Sequence, residues 1–447
     1  MKPKEPVERG QHELFRSRLD QILDMGHSKV VLACKIDWGF LAERCGDNYS
    51  EKPGHPALST RLMAGLHILK YVDNLSDEEV CARFIENPYY QYFCGEEFFR
   101  HDLPLDRSSM TRWRNRMGDD KIEVLLQESL SVAVKVGAAK PSDFTKVIVD
   151  TTVMEKSIAF PTDAKLIRRA QVKLVKQAKA EGLKLRQSYK RVGKLALIKQ
   201  QRYSHAKQFK RARRELRRLK TYLGRTIRDI KRQIIGDEVL ENRFSAPLYQ
   251  ANRVMVQKPR DGGKHIYALH APEVECIGKG KAHKPYEFGV KASVATTMKR
   301  CKGGQFAIHA KALPGKPYDG HTLETILPDI ERITGATLKR ILADDGYRGH
   351  NAGIDYKFKV FTTSQKRRVT PQIKRERKRR SAVEPVIGHL KQGHRMGRNF
   401  LAHKTGDALN PILAAVGYNF RLILKWIKLL WRIIWMALLG KQSVKYA

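Results

Sequence analysis

The chain is poor in the residues that build small covalent or nucleotide-driven machines. Its six cysteines (Cys34, Cys45, Cys81, Cys94, Cys276 and Cys301) contain no C-x2-C pair. That argues against a thiolate zinc site and a disulfide framework, and it fits a reducing cytoplasm. No Walker-type Gly-rich loop is present, so nothing suggests nucleotide-driven action. No stretch of about 18 uncharged apolar residues occurs. The nearest approach, Ala408 to Gly440, is interrupted by Arg421, Lys425, Lys428 and Arg432. These four fall on one stripe, so the segment reads as an amphipathic helix packed on a core, without a membrane role. The amino end, Met1 to Gln11, is polar and carries no signal-peptide pattern. Acids are scarce too: 46 Asp and Glu stand against 86 Lys and Arg, a net charge of +40. Solubility needs nothing like this excess, and a large polyanion is its natural partner.

What is present suffices for folded domains. The 447 residues are 42% hydrophobic, enough for a sizeable core and for two or three domains. Up to about residue 140 the pattern is helical. Leu62, Met63, Leu66, Leu69 and Val72 recur at helical spacing, and Ser76 with Glu79 makes a capping box. Asp106–Ser109 starts a short helix holding Arg107, Arg112, Arg114 and Arg116. Several short helices with one arginine-rich member fit a helix-turn-helix-like DNA-binding module, and a plain helical dimerisation domain fits the pattern too.

Lys146–Thr152 (KVIVDTT) is a β-branched run ending in an Asp, and it reads as a buried central strand. The composition then shifts. Pro161 to Arg232 holds 25 Lys or Arg against four acids. Its apolar residues step by three and four from Tyr203 to Ile234, which predicts a long helical hairpin broken near Gly182, with its charged face along phosphates. Strand signals return at Arg253–Gln257 and His265–His270 around an Asp261–Gly263 turn, then at Glu287–Thr297 and Gln305–Leu313. A helix follows from Asp319, then strands at Leu338–Ala343 and Tyr356–Thr363 and a helix near Ser381. Several strands before the first of these helices predict a mixed sheet with helices packed on it. His270, Glu273, Glu275 and Cys276 are too irregularly spaced for a metal site.

Three acids stand at places where α/β sites form. Asp150 lies at the end of the first central strand, Asp344 just past the Leu338 strand, and Glu384 at a helix start. Carboxylates without His or Cys partners suit Mg²⁺ or Mn²⁺, and two such ions can clamp a phosphodiester in an in-line displacement. Each piece also has a plain structural reading: a strand-end Asp caps turns, and Glu384 completes an S-x-x-E start with Ser381. Glu384 and Lys391, about two turns apart, share one helical face; Arg380 joins them if the helix continues through Pro385.

Here the sequence resembles a known family. It is similar to DDE transposases of bacterial insertion sequences, of the type named after insertion sequence 5. The likeness rests on Val149–Val153, Phe160–Ala164, Pro317–Leu323 (PYDGHTL), Ala343–Gly349 (ADDGYRG) and Val383–Lys391 (VEPVIGHLK), and extends to His55–Arg116 and Gly417–Asn419. The resemblance implies an α/β RNase H-like mixed-sheet core, with an N-terminal all-helical domain and a long basic helical insertion. It implies a metal triad of Asp150, Asp344 and Glu384, the family pattern A-D-x-G-Y selecting Asp344 over Asp345. Asp319 is left as a helix cap. The family signature Y-x2-R-x3-E-x6-K is met by Arg380, Glu384 and Lys391, while its tyrosine position is Arg377, where a phosphate contact replaces aromatic stacking.

The expected organisation is a helical DNA-binding domain at 1–140, a split catalytic core at 141–160 and 236–405, a basic insertion at 161–235 and a C-terminal amphipathic helix at 406–447. The expected activity is Mg²⁺-dependent (or Mn²⁺-dependent) cleavage at element ends and transfer of the 3′-hydroxyl into target DNA, in the bacterial cytoplasm at the nucleoid. Arg112, Arg114, Arg116, Arg377, Arg380 and Lys391 are the expected DNA contacts. Action as a homodimer or larger assembly on two DNA ends follows from the resemblance. A DNA-binding protein without catalysis, and a nuclease that cuts without joining, are the alternatives.

Overall fold

A computed structural model describes residues 16–46, 57–258, 265–278 and 282–443. The expected Asp261–Gly263 turn and His55 lie outside the described residues. The chain divides into two compact units, Met1–Glu155 with Val290–Ala447, and Lys156–Gly289.

The first unit begins with helices α1 (Leu19–Ile22), α2 (Ser28–Lys35), α3 (Trp38–Gly46), α4 (Thr60–Val72), α5 (Asp77–Glu86), α6 (Pro88–Phe93) and α7 (Ser108–Lys135). The α5 start is the capping box read from the sequence: Glu79 N donates to Ser76 Oγ (3.1 Å) and Ser76 N to Glu79 Oε2 (2.6 Å). The expected short arginine-rich helix is the first part of α7, which breaks at Gly118, where φ is +68°. Glycine adopts that left-handed conformation without steric cost.

Strand β1 (Lys146–Lys156) is central, with Val147, Ile148 and Val149 fully buried. It runs past Asp150, so that acid sits mid-strand and not at a strand end as expected. The second unit follows with α8 (Asp163–Ala180), α9 (Lys190–His205), α10 (Phe209–Ile234), α11 (Glu238–Val256) and β2 (Glu275–Gly278). The sheet continues with β3 (Tyr286–Thr297), β4 (Ala307–Leu313), α12 (Leu323–Thr334), β5 (Arg340–Ala343), β6 (Val360–Thr362), α13 (Pro371–Arg377), α14 (Val383–Gly393), β7 (Arg398–Asn399) and α15 (His403–Ser443). The sheet is mixed, in the order β2-β3-β1-β5-β6, with β4 on β3 and β7 on β1. β1 and β5 are parallel, as are β5 and β6, while β3 and β4 are antiparallel.

One apolar core joins the N-terminal helices, the sheet and α15, from Leu32 through Val147 to Ile427. The first unit therefore holds what the sequence divided into a helical domain, a core and a C-terminal helix. Gly417 and Asn419 explain why α15 belongs inside. A Cβ on Gly417 would lie 2.5 Å from the Tyr71 carbonyl carbon, so only glycine lets α4 and α15 approach so closely. Buried Asn419 accepts from Ala307 N (3.0 Å) and donates to Ala307 O (2.7 Å) and Ser129 Oγ (3.0 Å), tying α15 to β4 and α7. Glu123, His309 and Asp329 also meet in this unit. There the carboxylates are neutralised by Arg332 (2.5 Å to Glu123) and Lys311 (2.6 Å to Asp329), an ionic joint between α7, β4 and α12.

The second unit is larger than the expected insertion at 161–235, because α11 returns to close its core. Phe244, Leu248, Ala251 and Val254 pack with Ala164, Ile167, Leu223 and Ile230. Their three-and-four spacing carries the helix through Arg253–Val256, where the sequence suggested a strand. Three helices, α8, α9 and α10, stand where a hairpin was expected.

Candidate active site

The parallel register of β1 and β5 pairs Ile148 with Leu342. Extended by two residues, it brings Asp150 beside Asp344, the first residue after β5. Parallel partners lie about 4.8 Å apart, with side chains on the same face. The third acid arrives on α14. Arg380, in the turn just before that helix, bridges all three: Nη2 lies 3.0 Å from Asp150 Oδ2 and 3.3 Å from Asp344 Oδ2, and Nη1 lies 3.2 Å from Glu384 Oε1. Three acids from three distant segments thus converge on a single guanidinium.

The site grades from a closed floor to an open rim, since the Asp150 side chain is 13% exposed and that of Glu384 61%. Burial pushes the Asp150 carboxyl up to about 6; Arg380 opposes the rise and Asp344 adds to it. Asp150 Oδ1 accepts from Thr151 N (2.8 Å), which fixes its rotamer. Asp344 Oδ1 accepts from Gly346 N (3.0 Å), and a Cβ on Gly346 would crowd it at 3.0 Å. The adjacent Asp345 is engaged elsewhere, accepting from Ser364 N (2.9 Å) and Oγ (2.7 Å), contacts that hold its carboxyl below the usual range.

A fourth carboxylate belongs here. Asp319 was expected to cap a helix, but the cap position is Tyr318 and Asp319 is the first residue inside the turn that leads into α12. Its Oδ1 instead accepts from Thr151 Oγ1 (2.7 Å) and pairs with Lys291 Nζ (2.6 Å). Tyr347, fully buried, has its phenol pushed up by burial first and then by Asp319, Asp150 and Asp344. Its hydroxyl has no hydrogen-bond partner among the described residues, and neither does the buried Arg380 Nε. Sequence reasoning missed Lys291, Thr151 and Tyr347; the DGHT and DDGY strings pointed to their partners.

Four carboxylates meet two cations, Arg380 and Lys291. That leaves an excess of negative charge in a partly closed pocket, alongside orphaned polar atoms. Hard oxygen donors with such an excess fit a divalent cation of the Mg²⁺ or Mn²⁺ type. Asp150, Asp344 and Glu384 are the residues that could hold it.

The remaining expected DNA contacts divide. Arg112 and Arg116 are exposed on α7, Arg112 lying 3.5 Å from Asp106. Arg114 is 3% exposed, forked onto Asp77 (2.9 and 2.7 Å) and 3.2 Å from His67 Nε2, so its burial does not fit a DNA contact. Arg377 is turned inward, donating to Thr362 O (3.3 Å) and Gln365 O. Lys391 is half-buried on α14, two turns beyond Glu384.

In the second unit, α10 carries eleven Lys or Arg, while its two acids, Glu215 and Asp229, are buried. Lys210, Arg214, Arg217, Arg225, Arg228 and Arg232 form an exposed row at steps of three, four and eight. At 1.5 Å per residue the row runs about 33 Å.

Comparison with known proteins places the chain. Residues 17–116, the α1–α7 region ahead of the acids, match the family model described as Transposase domain (DUF772). The uncharacterized protein ORF8 in the nfe locus of Rhizobium meliloti is 48% identical over 209 residues, which is 47% of this chain and 100% of that protein. No solved structure matches the chain. The chain belongs to the same family as this Rhizobium meliloti protein, and its N-terminal helices match a transposase domain.

Proposed function

We propose that the chain is a DDE-type DNA transposase of the insertion sequence 5 kind, cutting element ends and joining the freed 3′-hydroxyl to target DNA. The observation that carries this reading is the convergence of Asp150, Asp344 and Glu384 on Arg380. A mixed sheet whose central strand carries the first acid, and whose parallel neighbour ends at the second, supports an RNase H-like core.

Asp150, Asp344 and Glu384 would hold divalent ions, which when bound would supply Lewis-acid activation of a water or 3′-hydroxyl and charge neutralisation at the scissile phosphate. The chain's own residues do the rest. Asp150 and Asp344, braced by backbone N–H groups, hold the oxygen donors at fixed positions. Glu384 completes the set from the exposed rim, where DNA has access. Arg380 neutralises the three acids, and its guanidinium is placed where it could also meet a phosphate oxygen of bound DNA. Cleavage and joining are both in-line displacements at phosphorus, so one centre serves both.

The α10 row, about one turn of B-DNA long, lies along duplex phosphates, and exposed Arg112 and Arg116 add contacts from the matched domain. Two copies acting on two ends, in the bacterial cytoplasm, complete the reading. Among the described residues no helix is long and apolar enough to cross a membrane.

The test is nicking of a labelled duplex carrying the element's own end, with Mg²⁺, Ca²⁺ or EDTA. Mg²⁺-dependent nicking that disappears in Asp150→Ala, with DNA binding retained, supports the reading. Equal nicking in the variant places the chemistry elsewhere, and binding without nicking favours a DNA-binding protein.

A further inference from the structure

We infer that Asp319 and Lys291 form a neutralised strut that positions the acid pair, and that Lys291 keeps Asp319 from acting as a fourth metal ligand. This rests on the metal-dependent reading above and adds to it a limit on the number of ligands.

Asp319 links three segments around the centre, β1, β3 and the turn after Asp344. Through Oδ1 it holds Thr151, the neighbour of Asp150 on β1, and Lys291 on β3. Its Oδ2 lies over Gly346 together with Asp344: a Cβ there would lie 3.3 Å from Asp319 Oδ2 and 3.0 Å from Asp344 Oδ1. The turn bearing Asp319 is itself clamped to the segment after Asp344. Tyr318 Oη donates to Arg348 O (2.9 Å), Asn351 N to Gly320 O (3.0 Å) and Asn351 Nδ2 to His321 O (3.0 Å). Asp319 therefore moves with the Asp344 turn, and its bonds to Thr151 and Lys291 register that turn against β1 and β3.

A carboxylate so close to two others repels them unless it is neutralised. Lys291 supplies the counter-charge at 2.6 Å and is anchored by Pro317 O (2.8 Å), so its ammonium stays beside Asp319 and away from the triad. Without Lys291, Asp319 keeps its Thr151 hydrogen bond but loses its counter-charge beside Asp344, and the centre offers a cation four acids where it now offers three.

The experiment counts bound Mn²⁺ by electron paramagnetic resonance on the DNA-free protein and measures kcat and KM for end nicking. Lys291→Met is expected to bind Mn²⁺ about tenfold more tightly or to take up an additional ion, with lower kcat and little change in KM. Lys291→Arg is expected to restore the wild-type Mn²⁺ count. Asp319→Asn with Lys291→Met is expected to lie closer to wild type than Lys291→Met alone, the coupling of a pair that acts as a unit. Unchanged Mn²⁺ number and affinity in a folded Lys291→Met overturns the inference, and so does strict additivity of the two substitutions. A wild-type protein that takes up no Mn²⁺ overturns the metal-dependent reading itself.

Discussion

The guanidinium of Arg380 lies 3.0 Å from the carboxylate of Asp150, a residue 230 positions earlier in the chain. The same group reaches Asp344 and Glu384, so one cation holds together carboxylates that would otherwise repel. On the proposed function, it supplies the positive charge that a divalent ion would bring to these acids. Arg380→Met is therefore expected to tighten Mg²⁺ binding to the DNA-free protein while reducing nicking. Removing the shared cation also costs stability, about 1–3 kcal/mol, which Mg²⁺ restores. Calorimetric titration and thermal unfolding with and without Mg²⁺ check both parts.

The Asp150 carboxyl, raised to about 6 by burial, gives a pH dependence of defined sign. Its folded-state pKa lies above the unfolded one. In metal-free protein its contribution to stability is thus fully present below about pH 4 and lost as pH rises through about 6. A bound cation favours the ionised form, so the thermal shift produced by Mg²⁺ grows over the same interval. Melting curves near pH 5 and pH 7, with EDTA or Mg²⁺, should show the larger Mg²⁺ shift at the higher pH; the reverse order contradicts this assignment.

Arg114 is a structural arginine. Burial alone would raise the Asp77 carboxyl, but the fork from Arg114, with Lys70 at 2.7 Å, holds it well below the usual range. A depressed carboxyl contributes stability above its unfolded pKa, near pH 4, that is lost as pH falls toward the folded one. Arg114→Ala leaves this buried carboxylate with one partner fewer and is expected to cost about 3–5 kcal/mol. Denaturant unfolding measures this loss, and the salt dependence of DNA binding in the folded fraction should match wild type. Arg112→Ala and Arg116→Ala should show the opposite pattern.

The row on α10 makes a quantitative prediction. Each phosphate contact contributes about 0.9 to the slope of log affinity against log salt. Replacing Arg214, Arg217, Arg225 and Arg228 by Gln should lower the magnitude of the slope by about 3–4 and leave unfolding unchanged, since all four are exposed. Binding isotherms at several salt concentrations give the slope directly.

Local signals in the sequence were read well where the structure is local. The Ser76–Glu79 box, the β-branched run of β1 and the apolar seam of α10 each act within a few residues, and each is found in place. The failures share a different cause. Asp319 stands where a cap belongs, but its partners Lys291 and Thr151 lie 28 and 168 residues away. Arg114 sits among arginines that face solvent, and its partners Asp77 at the start of α5 and His67 on α4 lie 37 and 47 residues away. The apolar residues at the end of α11 alternate briefly like a strand, and their helical phase shows only against α8. The contact of Asp150 with Asp344 depends on strand register, which no local string encodes; placement near strand ends singles out both acids, and the likeness to a family selects Asp344 over Asp345.

The most direct test of the central claim is strand transfer. Purified protein, a labelled duplex with the element's own end and a supercoiled target plasmid are incubated with Mg²⁺, and covalently joined product is resolved on a denaturing gel. The account predicts joined product with wild type, and none with Glu384→Ala, although that variant still binds the duplex. Joined product at wild-type level from Glu384→Ala, or cut ends from wild type that are never joined, would contradict it.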